Sequence, residues 1–151
     1  MKHYRYLIIS ILLVFNSLNA LGQHYRMPYK CSEKKGNAVY LRDFSCYLSP
    51  KKRKKLTGTK WAIQLNKNKN YRFNFCCSEL KYKNEIEMRL FDNENTEYTK
   101  PLGISHETKF GSPGFDFECE KTGIYYVSIR YKYNFYKKLY VVGILSYVEK
   151  Q

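Results

Sequence analysis

The chain has 151 residues, with 27 Lys+Arg against 13 Asp+Glu and a net charge of +14. That length fits one ordinary domain and is short for two. The charge favours anionic partners: acidic polysaccharide, anionic lipid head groups or nucleic acid.

The chain opens with the pattern of an export signal. Lys2 and Arg5 form a basic start, and Tyr6 to Phe15 is an apolar run too short to span a bilayer. Ala20 and Gly22 supply the small residues of a cleavage site, so residues 1–22 read as a signal peptide and Gln23 as the first mature residue. Removing Lys2 and Arg5 leaves 25 cations against 13 anions, a net +12. No second apolar run is long enough to cross a membrane, so no transmembrane span is expected in the mature chain. Export, to the periplasm or the medium, argues against nucleic acid. It moves the expected partner to an envelope polyanion or glycan, or to another envelope protein.

Residues 23–37 are polar, with Pro28 and Gly36, and read as an extended arm that Cys31 could tie down. Residues 38–151 form the expected domain. Ala38 to Leu48 is a strand whose alternation changes phase, which predicts a bulge near Arg42 and Asp43. Lys51, Lys52, Arg53, Lys54 and Lys55 follow as a solvated cationic loop and a candidate docking patch. Lys60 to Leu65 alternates with Trp61, Ile63 and Leu65 inward. Tyr71 to Cys77 alternates with Tyr71, Phe73, Phe75 and Cys77 inward. Ser78 to Asn84 is a polar linker. Glu85 to Phe91 puts Ile86, Met88 and Leu90 on one face and Glu85, Glu87 and Arg89 on the other.

Asp92 to Gly114 is long and irregular, with Ile104 as a candidate edge strand. Phe115 to Tyr133 then reads as a β-hairpin: Phe115, Phe117 and Cys119 on one arm, Tyr125, Val127 and Ile129 on the other. Lys121-Thr122-Gly123 forms the turn, with Gly123 at positive φ. Leu139 to Val148 is apolar on both faces, as expected of a central strand covered twice, with Gly143 at a bend or close approach. These strands, with no internal repeat and no defensible helix, describe an all-β, antiparallel, jelly-roll-like β-sandwich of about seven to eight strands. Its expected core is Trp61, Ile63, Phe73, Phe75, Ile86, Met88, Leu90, Phe117, Val127, Ile129, Val141 and Leu145.

The ordered segments NYRFNF (70–75), IEMRLFD (86–92) and FDFECEKTGIYYVSI (115–129) resemble the bacterial pre-peptidase C-terminal domains, small secreted β-sandwiches related in shape to CUB-like modules. The likeness runs from about Lys60 to Tyr133, with the strand ending in Asp92 and the Gly123 to Val127 strand as its marks. It implies an accessory binding module and no catalysis. The cysteines, the basic run and the apolar last strand lie outside the pattern, and no peptidase precedes the domain in this sequence.

The candidate chemistry is sparse. No G-x-S-x-G, HExxH or phosphate-cradling glycine loop occurs. Cys31, Cys46, Cys76, Cys77 and Cys119 are disulfide candidates, and their odd number leaves at least one thiol over or paired between chains. Without a CxxC, and with His24 and His106 isolated, they do not make a zinc set, and nothing calls for a cofactor. The better lead is aromatic. Tyr131, Tyr133, Tyr136, Lys137 and Lys138 cluster in sequence, and tyrosines beside cations can stack on sugar rings and grip anionic groups.

Overall fold

A computed structural model describes residues 27–50, 58–133 and 136–149, and the signal segment and the Lys51–Lys55 run fall outside them. Nine strands appear among the described residues: β1 (Val39–Leu48), β2 (Gly58–Leu65), β3 (Lys69–Cys77), β4 (Ile86–Phe91), β5 (Gly103–Ile104), β6 (His106–Glu107), β7 (Pro113–Cys119), β8 (Gly123–Tyr131) and β9 (Leu139–Val148). They form two antiparallel sheets, one in the order β1-β9-β3-β7-β6 and one in the order β2-β8-β4-β5. The protein is an all-β sandwich.

The core lies where the alternating apolar faces of the two sheets meet. Phe44, Leu48, Phe73, Phe75, Val141 and Leu145 come from one sheet, and Ile63, Leu65, Met88, Leu90, Val127 and Ile129 from the other. Two expected core residues sit at its margin. Trp61 is half-buried with its ring 5.4 Å from Phe44, and Phe117 is half-buried edge-on to Tyr125 at 5.6 Å. Period 2 gives the direction of a side chain, not its depth.

The expected hairpin at Phe115 to Tyr133 does not form. β7 pairs with β3 and β6 in one sheet, while β8 pairs with β2 and β4 in the other. The segment is an arch that carries the chain across the core, and Gly123 is not among the positive-φ residues. In fact every connection between described strands changes sheets except β4–β5 and β6–β7.

β9 matches its two-faced composition. It lies between β1 and β3, with Leu139, Val141 and Leu145 in the core. Val142 and Ile144 point the other way, into a small second cluster with Cys31, Met27, Cys76 and Tyr140. The arm supplies that cover. Its described part is helical over residues 27–32 and continues as a 3-10 turn at Glu33–Lys35, so it is not extended there. The Cys31–Cys76 disulfide fastens it to β3. The predicted bulge is present as a register shift between Tyr40 and Arg42 against β9. Gly143 is the predicted close approach: a Cβ there would lie 2.5 Å from Met88 Cε and 2.9 Å from Ile129 Cδ1. Ser78 to Asn84 is less loop-like than its composition, since Leu80–Glu85 is a 3-10 turn.

Candidate functional site

Register places three connections at one pole of the sandwich. β1 ends at Leu48 opposite Leu139, β3 ends at Cys77 opposite Val141, and β8 ends at Tyr131 opposite Ile86. The links between β1 and β2, β3 and β4, and β8 and β9 therefore all emerge there. The sequence-predicted tyrosines and lysines of 131–138 share this pole with the turn at Leu80–Glu85.

The cluster is built around aromatic rings and ammonium groups. Lys81 Nζ and Lys137 Nζ lie 5.0 and 5.2 Å from the centre of the Tyr82 ring. Lys138 Nζ lies 4.6 Å from the Tyr47 ring, which packs 4.9 Å from Tyr140 across the β1–β9 ladder. Tyr133 and Tyr136 are 71% and 77% exposed. The Tyr136 hydroxyl is raised in pKa by its hydrogen bond with Tyr82. An exposed ring flanked by cations offers a stacking face and a charge together.

Two members have other duties. Tyr131 is buried, 3% exposed, because the inward alternation of Tyr125, Val127 and Ile129 continues through it. Its hydroxyl lies 2.6 Å from the Lys137 carbonyl and 3.1 Å from that of Leu48, so it braces the loop from within and offers no surface to a ligand. Lys137 donates to both carboxylate oxygens of Glu79 at 2.7 and 2.8 Å, and that hydrogen bond holds its pKa above the ordinary lysine value. Tyr133, Tyr136 and Lys138 are the predicted residues presented outward. Tyr47, Lys81 and Tyr82 are members that sequence reasoning missed, because they are distant in the chain and only strand register brings them together.

Of the five cysteines, Cys31 and Cys76 form a disulfide and Cys46, Cys77 and Cys119 are free thiols. Burial raises the pKa of Cys46 and Cys77, which disfavours thiolate. Cys119 is buried with its sulfur 3.6 Å from the Tyr125 hydroxyl. His106 is exposed on β6, its Nδ1 3.4 Å from the Ile104 carbonyl. Asp116 and Glu118 face outward, and Asp116 binds Arg72.

A concave surface lies on the outer face of the four-stranded sheet. Lys60, Ser128 and Arg89 stand in one row across β2, β8 and β4, and Gly58, Arg130 and Glu87 in the next. Glu87 is 6% exposed. Its Oε1 accepts a hydrogen bond from Arg130 Nε at 2.8 Å and is ion-paired with Arg89 Nη2 at 2.7 Å. The loop after β4 overhangs these rows, with Lys60 Nζ donating to the Glu94 carbonyl at 2.7 Å. The resulting cleft holds about 520 Å³ and is walled by residues 94–97.

The fold defines the chain as a small antiparallel β-sandwich resembling the pre-peptidase C-terminal domains. The pre-peptidase C-terminal domain of a Bacillus anthracis collagenase superposes with a TM-score of 0.51 at 10% identity, covering 71% of this chain and 89% of that one. The Aeromonas hydrophila protein PliG, a periplasmic lysozyme inhibitor of g-type lysozyme, superposes with a TM-score of 0.52 at 8% identity, covering 74% of this chain and 89% of that one. No family model matches the sequence, and no curated protein matches it. At such identities the likeness is one of fold.

Proposed function

We propose that this is an exported, non-catalytic β-sandwich that binds an anionic or glycan component of the cell envelope through the pole formed by Tyr133, Tyr136, Lys138, Tyr47 and Lys81. The observation that carries this reading is the convergence of exposed tyrosines and ring-stacked ammonium groups from the end of β1 and from the β3–β4 and β8–β9 connections. Such surfaces exclude little sterically and suit an extended polymer, with rings stacking on sugars and ammonium groups meeting their acids. The cationic run Lys51–Lys55 follows β1, which ends at this pole, and would add steering charge.

The test is retention of the purified protein on immobilised envelope polysaccharide. Tyr136→Ala with Lys138→Gln should lower retention several-fold, and neutralising Lys51–Lys55 should lower it further and flatten its salt dependence. Unchanged retention in both would overturn the reading.

A second reading is a protein-binding role. The fold shared with a periplasmic lysozyme inhibitor favours it, as does the exposed start of β1, where Val39, Tyr40 and Leu41 are 49%, 42% and 47% exposed on an edge strand. β9 offers no comparable surface, since both of its apolar faces are covered. Leu41→Glu would abolish capture of such a partner and leave polysaccharide retention unchanged.

A further inference from the structure

The cleft on the outer face of the four-stranded sheet has the parts of a small-ligand site, and its chemistry differs from that of the aromatic pole. Its floor is concave because Gly58 and Ser128 carry little or no side chain between Lys60, Arg89 and Arg130. The two guanidinium groups are not free to wander. Both are fixed to one oxygen of the buried Glu87, and their side chains are 23% and 22% exposed. Arg89 Nε is buried without a hydrogen-bond partner. Lys60 Nζ also lies 3.6 Å from the Glu94 carboxylate, so three cations stand against two carboxylates and the floor keeps a net positive charge carried by the two arginines. Immobilised guanidinium groups match the paired oxygens of an oxyanion.

The wall has the opposite character. Glu94 and Glu97 present carboxylates there, and Asn95 and Thr96 present neutral polar groups. A ligand satisfying both surfaces carries an oxyanion at one end and hydroxyl donors at the other. A simple inorganic anion would meet the floor and repel the wall.

We propose that this cleft binds a single acidic sugar unit, its carboxylate or sulfate group on Arg89, Arg130 and Lys60 and its hydroxyls toward Glu94 and Glu97. The pole reading is not needed for this site. The pole would hold a polymer by stacking, whereas the cleft would select a charged residue within or at the end of a chain.

Calorimetric titration of the full chain tests it, with a uronic acid disaccharide, a sulfated disaccharide, their neutral counterpart and inorganic sulfate alone as probes. One or both acidic disaccharides should bind, and which of them does so identifies the group. The neutral sugar and sulfate should bind at least about tenfold more weakly, the worth of one charge-assisted contact. Lys60→Gln and Ser128→Glu should each weaken binding about tenfold or more, the second by placing a carboxylate between Lys60 and Arg89. Thermal melts of both variants check that the fold is intact. Tyr136→Ala with Lys138→Gln should leave this affinity unchanged, which separates a failure here from a failure at the pole. Equal binding of acidic and neutral sugars, competition by sulfate alone, binding that survives Ser128→Glu, or no binding by any probe would overturn the assignment.

Discussion

Arg72 and Asp116 face each other across β3 and β7 and form two hydrogen bonds, Nε to Oδ1 and Nη2 to Oδ2, each at 2.7 Å. Arg72 does more than close that pair. Its Nη1 donates to the Lys35 carbonyl at 2.9 Å, and its guanidinium lies 4.4 Å from the Phe110 ring. One side chain thus joins two strands, the N-terminal arm and the loop before β7. Asp116 is largely exposed, so Asp116→Asn should cost no more than about 1 kcal/mol. Arg72→Ala also loses the arm contact and the stacked stem and should cost roughly 2 kcal/mol. Denaturant unfolding of both variants reads the difference, and equal costs would show the arm contact to be idle.

The Cys31–Cys76 disulfide closes a loop with a sequence separation of 45. Chain-entropy arithmetic gives a loop of that length roughly 4 kcal/mol of stabilisation. Reduction, or paired Cys→Ser replacement, should lower the melting temperature markedly and uncover Val142 and Ile144 beneath the arm. A hydrophobic dye should then bind the reduced protein more strongly than the oxidised one.

Thiol alkylation should separate the three unbridged cysteines. Cys77 and Cys119 are buried, and Cys46 is half-buried with its pKa raised by burial. In the native protein near neutral pH, Cys46 should react slowly and the other two hardly at all, and denaturant should expose all three. Peptide mass mapping after timed labelling checks the order, and early labelling of Cys119 would contradict it.

Two glycines should respond differently to a single added methyl group. At Gly143 the obstacle is the mobile end of Met88 and a methyl of Ile129, so Gly143→Ala should cost about 1–3 kcal/mol. At Gly114 a Cβ would run into the Phe73 backbone carbonyl, which cannot swing aside. Gly114→Ala should therefore destabilise more than Gly143→Ala, as paired unfolding curves would show.

Alkali should unfold the protein through its buried tyrosines. Burial is the main cause raising both the Tyr125 and the Tyr131 hydroxyl to about 12 from an ordinary 10.0. The folded state keeps these protons where the unfolded chain releases them. Their contribution is thus complete below pH 10 and lost as pH rises toward 12. Near-ultraviolet tyrosinate absorbance should show a delayed fraction that ionises with the loss of structure. Tyr131→Phe should remove part of that delay, at the cost of the brace on Lys137.

Strand positions were legible because the inward faces alternate, as at Tyr71, Phe73, Phe75 and Cys77, all buried. Sheet membership was not. A strand facing the core from above carries the same period-2 pattern as one facing it from below, so Phe115 to Tyr133 reads equally well as hairpin or arch. The candidate site shows the same division. Tyr133, Tyr136 and Lys138 could be found by local composition, whereas Tyr47 joins them only through its pairing with Tyr140. Tyr131 was misread as surface because its neighbours are cations, although its parity continues that of Ile129. Glu87 reads as an ordinary outward carboxylate beside Arg89 of its own strand, and only strand pairing shows that Arg130 of β8 joins them.

The seat of β9 between β1 and β3 constrains how the chain is made. Among the described strands β1 has its only hydrogen-bonded neighbour in β9, so it has no described strand to zip against until β9 exists. A polypeptide delivered through a membrane from its N-terminal end would wait for its tail before acquiring this architecture. A nascent chain stopped at Lys138 would lack the rung that joins β1 to β3, and would meet its surroundings as a substrate for proteases.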